Sequence, residues 1–311
     1  MSGSIKKYLS LVKFSHTIFA MPFAFIGFAL GLTDILKNRL PLTSQNLLLP
    51  TIIEWDFTNW SILFLFVLVL LCMVFARSAA MAFNRYLDSA YDAKNPRTAI
   101  REIPAGIVSK KNALLFTITN CILFVTCTFF INEICFLLSP VALFTILFYS
   151  YTKQFTLLCH LVLGVGLSLA PIGSYLAVTG VFTPLPIFFS LAVVCWVSGF
   201  DIIYALQDEA FDKENHLFSI PSVLGKRRAL LVSVLLHCLS AAAIAAAGFY
   251  GNFGVWYWIG VLVFVGMLIY QHSIVKPNDL RRVNVAFMTA NGIASIVFAV
   301  FVLLDIYISY L

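Results

Sequence analysis

The sequence predicts an all-α integral membrane protein, a bundle of about nine transmembrane helices with two cytoplasmic acidic-motif loops. Three observations predict it. Of 311 residues, 61% are hydrophobic and only 11% charged, against roughly 25% charged in a soluble domain. Apolar runs of about 20 residues, enough to cross a bilayer as helix, recur along the chain. These runs, LFLFVLVLLCMVFA among them, lack the polar–apolar alternation of a spanning β-barrel strand. Lipid offers no partner to backbone N–H and C=O groups, so a span must pair them within itself, and an unbroken apolar run does so as a helix.

Taken in order, the spans read 8–32, 61–84, 112–131, 134–151, 157–179, 185–205, 229–249, 254–272 and 286–309. Turn and charge signals separate them: Asn38–Pro41, Asn132–Glu133, Thr183–Pro186, Gly251–Gly254 and Lys276–Pro277. The first run follows Lys6 and Lys7 but exceeds a signal-peptide core, carries Lys13 and His16, and lacks a small-residue cleavage site. It reads as a retained span. The seven Cys lie in or beside apolar runs without a CxxC and read as packing residues. The loop 33–60, with Trp55 and Trp60, reads as an interfacial cap. One membrane domain, 1–311, accounts for the whole chain.

Charge placement sets the topology. With the N-terminus inside, the inner side holds Lys6, Lys7, Lys94, Arg97, Arg101, Lys110, Lys111, Lys153, Lys213, Lys226, Arg227, Arg228, Lys276, Arg281 and Arg282. Lys37 and Arg39 fall outside. The positive-inside rule is obeyed, and an odd span count puts the C-terminus outside. The formal charge of +6 belongs to these loops, and without a basic stripe beyond them nucleic acid is not an expected partner. Lys226–Arg228 reads as a headgroup anchor.

Two acidic runs close spans 2 and 6 on the inner side. The first carries Asn84, Arg85, Asp88 and Asp92; the second carries Asp201, Tyr204, Asp208 and Asp212. Asp88 precedes Asp208 by 120 positions, and Asp92 precedes Asp212 by the same 120, which suggests a structural pseudo-repeat of helix, acidic loop and helix. Residues four apart share a helix face, so each Asp pair sets like charges side by side near lipid, where a charge costs several kcal/mol. Neighbouring Arg and Lys explain one such pair; two at equal offset favour a bound cation. All-oxygen ligands suit Mg²⁺, which takes one or two carboxylates and substrate phosphates. The residues thus predict a pocket with two acidic walls holding a diphosphate through Mg²⁺ at Asp88, Asp92, Asp208 and Asp212.

The pattern N84-R85-x-x-D88-x-x-x-D92 resembles the first signature of the UbiA-type membrane prenyltransferases, and D201-x-x-Y204-x-x-Q207-D208-x-x-x-D212 the second. REIPAG at Arg101–Gly106, Tyr151–Lys153 and Ala170–Gly173 are similar to flanking pieces of that family, so the resemblance spans nearly the whole chain. The opening KYLSLVKFSHTIFAMPFAFIGF and the phrase YALQDEAFD look most like the 4-hydroxybenzoate polyprenyltransferase branch. That branch includes the futalosine-route menaquinone enzymes acting on 1,4-dihydroxy-6-naphthoate.

The resemblance implies Mg²⁺-dependent transfer of a long prenyl chain from polyprenyl diphosphate to an aromatic ring in ubiquinone or menaquinone synthesis. It further implies a bacterial inner membrane, with the active site facing the cytoplasm and no obligate protein partner beyond lipid. Arg85, Lys94, Arg101 and Lys153 are then candidates to clamp the diphosphate. Asn84 is a candidate to bind a metal-bound phosphate or orient the acceptor, with a packing amide as the plainer alternative. Asp201 is the candidate to accept a hydrogen bond from the phenol, with a third metal-shell carboxylate as its alternative. Tyr204 supports the diphosphate or Asp201. Lys13 and His16 are the cations available for the acceptor's carboxylate, where related enzymes tend to present Arg. His160, His237 and His272 are scattered and read as structural. Two other classes stay open: another transferase of the same family (haem O, chlorophyll or tocopherol type), and an ion-coupled transporter. Transporter acids tend to lie at the midplane, unlike these.

Overall fold

The computed structural model describes residues 7–8, 10–12, 19–37 and 58–310. Its elements are helices: α1 (Met21–Leu36), α2 (Asn59–Lys94), α3 (Lys110–Ile131), α4 (Glu133–Thr152), α5 (Cys159–Thr179), α6 (Pro184–Ala205), α7 (Glu209–Glu214), α8 (Ile220–Tyr250), α9 (Val255–Ile274) and α10 (Asn291–Tyr310). A 3-10 turn at Leu206–Asp208 joins α6 to α7, and a π-helical stretch at Val285–Ala290 leads into α10. Among the described residues, eight helical segments are long and apolar enough to cross a membrane, and α1 is a shorter apolar helix of 16 residues. Eight of the nine expected spans coincide with these segments. The expected first span overlaps α1, but part of it, including Lys13 and His16, lies outside the described residues.

The helix carrying the first motif extends well beyond its expected apolar end at 84, through Lys94. Asn84, Asp88 and Asp92 therefore sit on one helix, as their spacing by four predicts. The first breaker after the motif is Pro96, which drives the preceding residue out of the α region. Asn95 is accordingly extended (ψ 117°) and accepts the Arg97 amide at 3.0 Å through its side chain. Ser109 then caps α3 by accepting the Asn112 amide.

The chain forms two compact units, residues 1–17 with 44–151 and residues 18–43 with 152–311. In the first unit α2 packs along α3, and Phe83 of α2 meets Tyr151 of α4 with ring centroids 5.7 Å apart. In the second unit α6 packs between α5 and α8. Its Phe189, Val193, Trp196 and Val197 are fully buried with Phe23, Tyr257, Phe264 and Phe298. Lipid is as apolar as these side chains, so close packing supplies the attraction between helices. Small residues permit it. A Cβ on Gly27 would collide with the Pro171 backbone of α5, and one on Gly164 would stand 2.5 Å from both Val194 O and Ser198 Oγ of α6.

Buried polar groups around Asn291 in this unit are paired with one another. Asn291 Oδ1 accepts from Trp196 Nε1 (2.8 Å) and Gln271 Nε2 (2.7 Å), while its Nδ2 donates to the carbonyls of Ala286 and Phe287. The π-helical register thus has a side chain filling its loosened carbonyls. His237 and His272, expected as scattered structural residues, meet each other at 2.9 Å. The seven Cys are free thiols.

Candidate active site

The first acidic cluster is built on α2 and the turn that follows it. Asn84 Nδ2 donates to Asp88 Oδ2 at 2.9 Å, the i, i+4 contact that the helix dictates. One turn on, Asp92 is buried, and its Oδ1 pairs with Arg101 Nη1 at 2.6 Å. Its Oδ2 is buried and accepts no hydrogen bond among the described residues. Arg85 is also buried, within electrostatic reach of Asp92 and Glu102. Glu102 accepts a hydrogen bond from Ser10 Oγ. Lys94 ends the helix exposed.

The second cluster is broken by geometry that the sequence hid. Asp208 and Asp212 were expected on one continuous helix face. Instead the 3-10 turn at Leu206–Asp208 makes Asp208 the N-cap of α7, and Asp212 lies within that short helix. Asp212 is fully buried; its Oδ1 is held by the Lys153 ammonium at 2.7 Å, and its Oδ2 accepts from Ser219 Oγ at 3.0 Å. Ser219 also caps α8 in a capping box with Ser222. That helix is interrupted at Gly225 (φ 76°), which only glycine takes without strain, and resumes into Lys226–Arg228. Tyr204, half-buried on α6, lays its ring against Phe287 of the π-helical stretch at 4.3 Å.

Asp201 projects from α6 and accepts from His160 Nδ1 at 2.7 Å through Oδ2. His160 is thus a neighbour of the motif that the sequence did not single out. It stands 41 positions away on α5, without a local pattern to mark it. Arg101 and Lys153, expected on the diphosphate, each pair here with an aspartate. Guanidinium and ammonium keep further N–H donors beyond those pairs, so holding a carboxylate does not exhaust either group.

These residues fit a hard divalent cation. Asp92 Oδ2 is a buried carboxylate oxygen without a donor among the described residues, costly unless something fills it, and the acids offer oxygen ligands only. Among the described residues no group of three His, Cys, Asp or Glu could hold a metal by itself. Each cluster therefore offers the one or two carboxylates that Mg²⁺ ordinarily takes, leaving its other positions to phosphate and water.

Fold and site together define a multi-span helical membrane protein with acidic clusters at span ends, and the comparisons make that class definite. The chain belongs to the UbiA prenyltransferase family, which it matches over residues 53–293. It is similar to the 4-hydroxybenzoate octaprenyltransferase of Nitrosospira multiformis, 31% identical over 243 residues, covering 78% of this chain and 82% of that protein. The Nitrosomonas europaea protein of the same name is 28% identical, covering 75% and 80%. Among solved structures, the apo UbiA homolog from Aeropyrum pernix K1 superposes with a TM-score of 0.74 at 26% identity, covering 95% of this chain and 98% of that one. A UbiA homolog from Archaeoglobus fulgidus bound to DMAPP and Mg²⁺ shares the fold, with a TM-score of 0.69 at 20% identity, covering 97% and 99%. The protein is therefore a membrane-embedded prenyltransferase of the 4-hydroxybenzoate polyprenyltransferase-like branch.

Proposed function

We propose that this enzyme transfers a polyprenyl chain from polyprenyl diphosphate to a hydroxylated aromatic acid, 4-hydroxybenzoate or 1,4-dihydroxy-6-naphthoate, in quinone synthesis. The observation that carries the substrate class is the similarity to 4-hydroxybenzoate octaprenyltransferases across about four-fifths of their length. The paired acid and base of each cluster support the chemistry. Mg²⁺, bound by Asp88, Asp92, Asp208 and Asp212, would neutralise the diphosphate as it leaves. A UbiA homolog of related fold is solved with DMAPP and Mg²⁺, which supports a divalent cation beside the diphosphate.

The chain's own residues do the rest. Arg85, Lys94, Arg101 and Lys153 bind diphosphate oxygens as fixed positive charge, worth most where water is scarce. Asn84 donates to Asp88 at 2.9 Å, which supports a role in orienting that carboxylate. The prenyl C–O bond breaks with its electron pair going to diphosphate, and a ring carbon of the acceptor attacks the allylic cation. Asp201 accepts a hydrogen bond from the acceptor hydroxyl, raising the ring's electron density. The ring then loses the proton at the carbon attacked. Tyr204 borders this carboxylate on α6, and Lys13 and His16 receive the acceptor's carboxylate. The positive-inside pattern supports a cytoplasmic side for the acidic clusters, and the bacterial relatives support a bacterial inner membrane.

The test uses purified protein in liposomes with Mg²⁺, a long-chain polyprenyl diphosphate and each acceptor in turn, following diphosphate release and prenylated product by mass. Product with one of the two acceptors, abolished by EDTA, is expected. Product only with a haem, chlorophyll or tocopherol-type acceptor would overturn the substrate assignment, and ion uptake without diphosphate release would overturn the reaction.

A further inference from the structure

The second motif is joined to its surroundings by a run of polar contacts linked through the Ser219–Ile220 peptide unit. His160, second residue of α5 and 3% exposed, meets Asp201 Oδ2 through Nδ1 at 2.7 Å. Its other ring nitrogen, Nε2, faces the backbone amide of Ile220 at 3.3 Å. An amide N–H can only donate, so Nε2 is the acceptor, and Nδ1 carries the proton that it gives to Asp201. Ile220 is the first residue of α8, and its amide is one of those a helix start leaves without a partner. The imidazole therefore fills a helix start on one side and fixes a carboxylate on the other. From Ile220 the run passes through the Ser219 cap to Asp212, and from there to Lys153.

Close packing of α5 on α6 supports this contact. Gly164 lets α5 approach α6 until only a hydrogen fits against Val194 O and Ser198 Oγ. Ser198 Oγ shares its one proton between the Val194 carbonyl at 2.6 Å and the His160 carbonyl at 3.1 Å. The carboxylate so held is one-sided. Oδ2 is taken by His160, Oδ1 has no hydrogen bond among the described residues, and the side chain is 24% exposed. A partly open carboxylate with one oxygen pinned presents the other in a fixed direction.

We propose that His160 is the positioning residue for activation of the acceptor. As the neutral Nδ1–H tautomer, tied to the start of α8, it orients Asp201 so that Oδ1 meets the acceptor hydroxyl. This rests on the reading of Asp201 as the group that accepts the hydroxyl's hydrogen bond. His160 itself touches neither substrate.

Three variants test it in liposomes, with polyprenyl diphosphate and the accepted aromatic acid. His160→Leu keeps bulk and removes both ring nitrogens; kcat is expected to fall about 10²-fold, the scale of a misplaced catalytic group. The KM for polyprenyl diphosphate is expected to stay unchanged. His160→Asn, whose amide nitrogen stands near the position of Nδ1, restores most of the rate. In an Asp201→Asn background, His160→Leu costs nothing further, because the two act as one unit. Full kcat in His160→Leu beside an inactive Asp201→Asn would overturn the positioning assignment alone. Full activity in Asp201→Asn would overturn the reading beneath it. Nitrogen NMR of ¹⁵N-histidine-labelled, unaltered enzyme reads the tautomer directly, assigned with His160→Asn, and needs no folded Leu variant. An Nε2–H tautomer at His160 overturns the proposal.

Discussion

Lys153→Met isolates the electrostatics of the second cluster. The ammonium lies 2.7 Å from Asp212 Oδ1, the lysine side chain is 34% exposed and the aspartate is fully buried. Stripping one partner from a fully buried pair costs about 3–5 kcal/mol, since the remaining charge keeps its desolvation penalty. Here water reaches the lysine and screens part of the field. Ser219 also still donates to Asp212 Oδ2. The loss therefore falls toward the value of one hydrogen bond to a charged group, about 2 kcal/mol. Methionine keeps the apolar stem, so packing is little disturbed. Detergent-solubilised protein titrated with denaturant should show a lower midpoint for Lys153→Met. Most of the stability should return in Lys153→Met/Asp212→Asn, which has no buried charge left to strand. Polyprenyl diphosphate binding should stay weak in both. Equal losses in the single and double variants would refute the reasoning, because the penalty would then not arise from an unpaired Asp212.

Other outcomes follow from the same structure. Gly27→Val puts methyl groups where the Pro171 backbone already stands, and overpacking of this kind costs about 1–3 kcal/mol, read as a lower melting temperature. Asn291→Leu strands the Trp196 and Gln271 donors together with two carbonyls of the π-helical stretch. A loss of roughly 2–3 kcal/mol or more is expected by denaturant titration, with changed Trp fluorescence. Lys13→Ala should raise the acceptor KM and leave use of prenyl diphosphate intact; an unchanged acceptor KM removes Lys13 from that role.

The helices were legible because lipid obliges a spanning backbone to pair its own hydrogen bonds, and unbroken apolar runs without alternation do so as helices. Asp88, Asp92, Asp208 and Asp212 stood out for a related reason: carboxylates at span ends are costly and occur there for a purpose. Composition could not show where a helix bends or ends. The polar turns of α2 stay helical to Lys94 because Pro96 is the first breaker after the motif. The 3-10 turn at Leu206–Asp208 carries no proline or glycine to announce it. The π-helical stretch depends on Asn291, whose partners Trp196 and Gln271 come from two other helices. His160 escaped notice for the same reason, since only tertiary packing through Gly164 brings it to Asp201. Arg101 and Lys153 were recognised as cations of the site, but their pairing with Asp92 and Asp212 is set by the turns at 95–101 and 215–219.

The central claim is that both acidic clusters serve one Mg²⁺-bound diphosphate. Equilibrium binding of an unreactive polyprenyl thiodiphosphate, with and without Mg²⁺, to the unaltered protein, Asp88→Ala and Asp208→Ala tests it most directly. The account predicts Mg²⁺-dependent binding to the unaltered protein and its loss in each variant, while helical content and melting behaviour persist. Full Mg²⁺-dependent affinity in either variant would contradict it, because one cluster would then hold the ligand without the other.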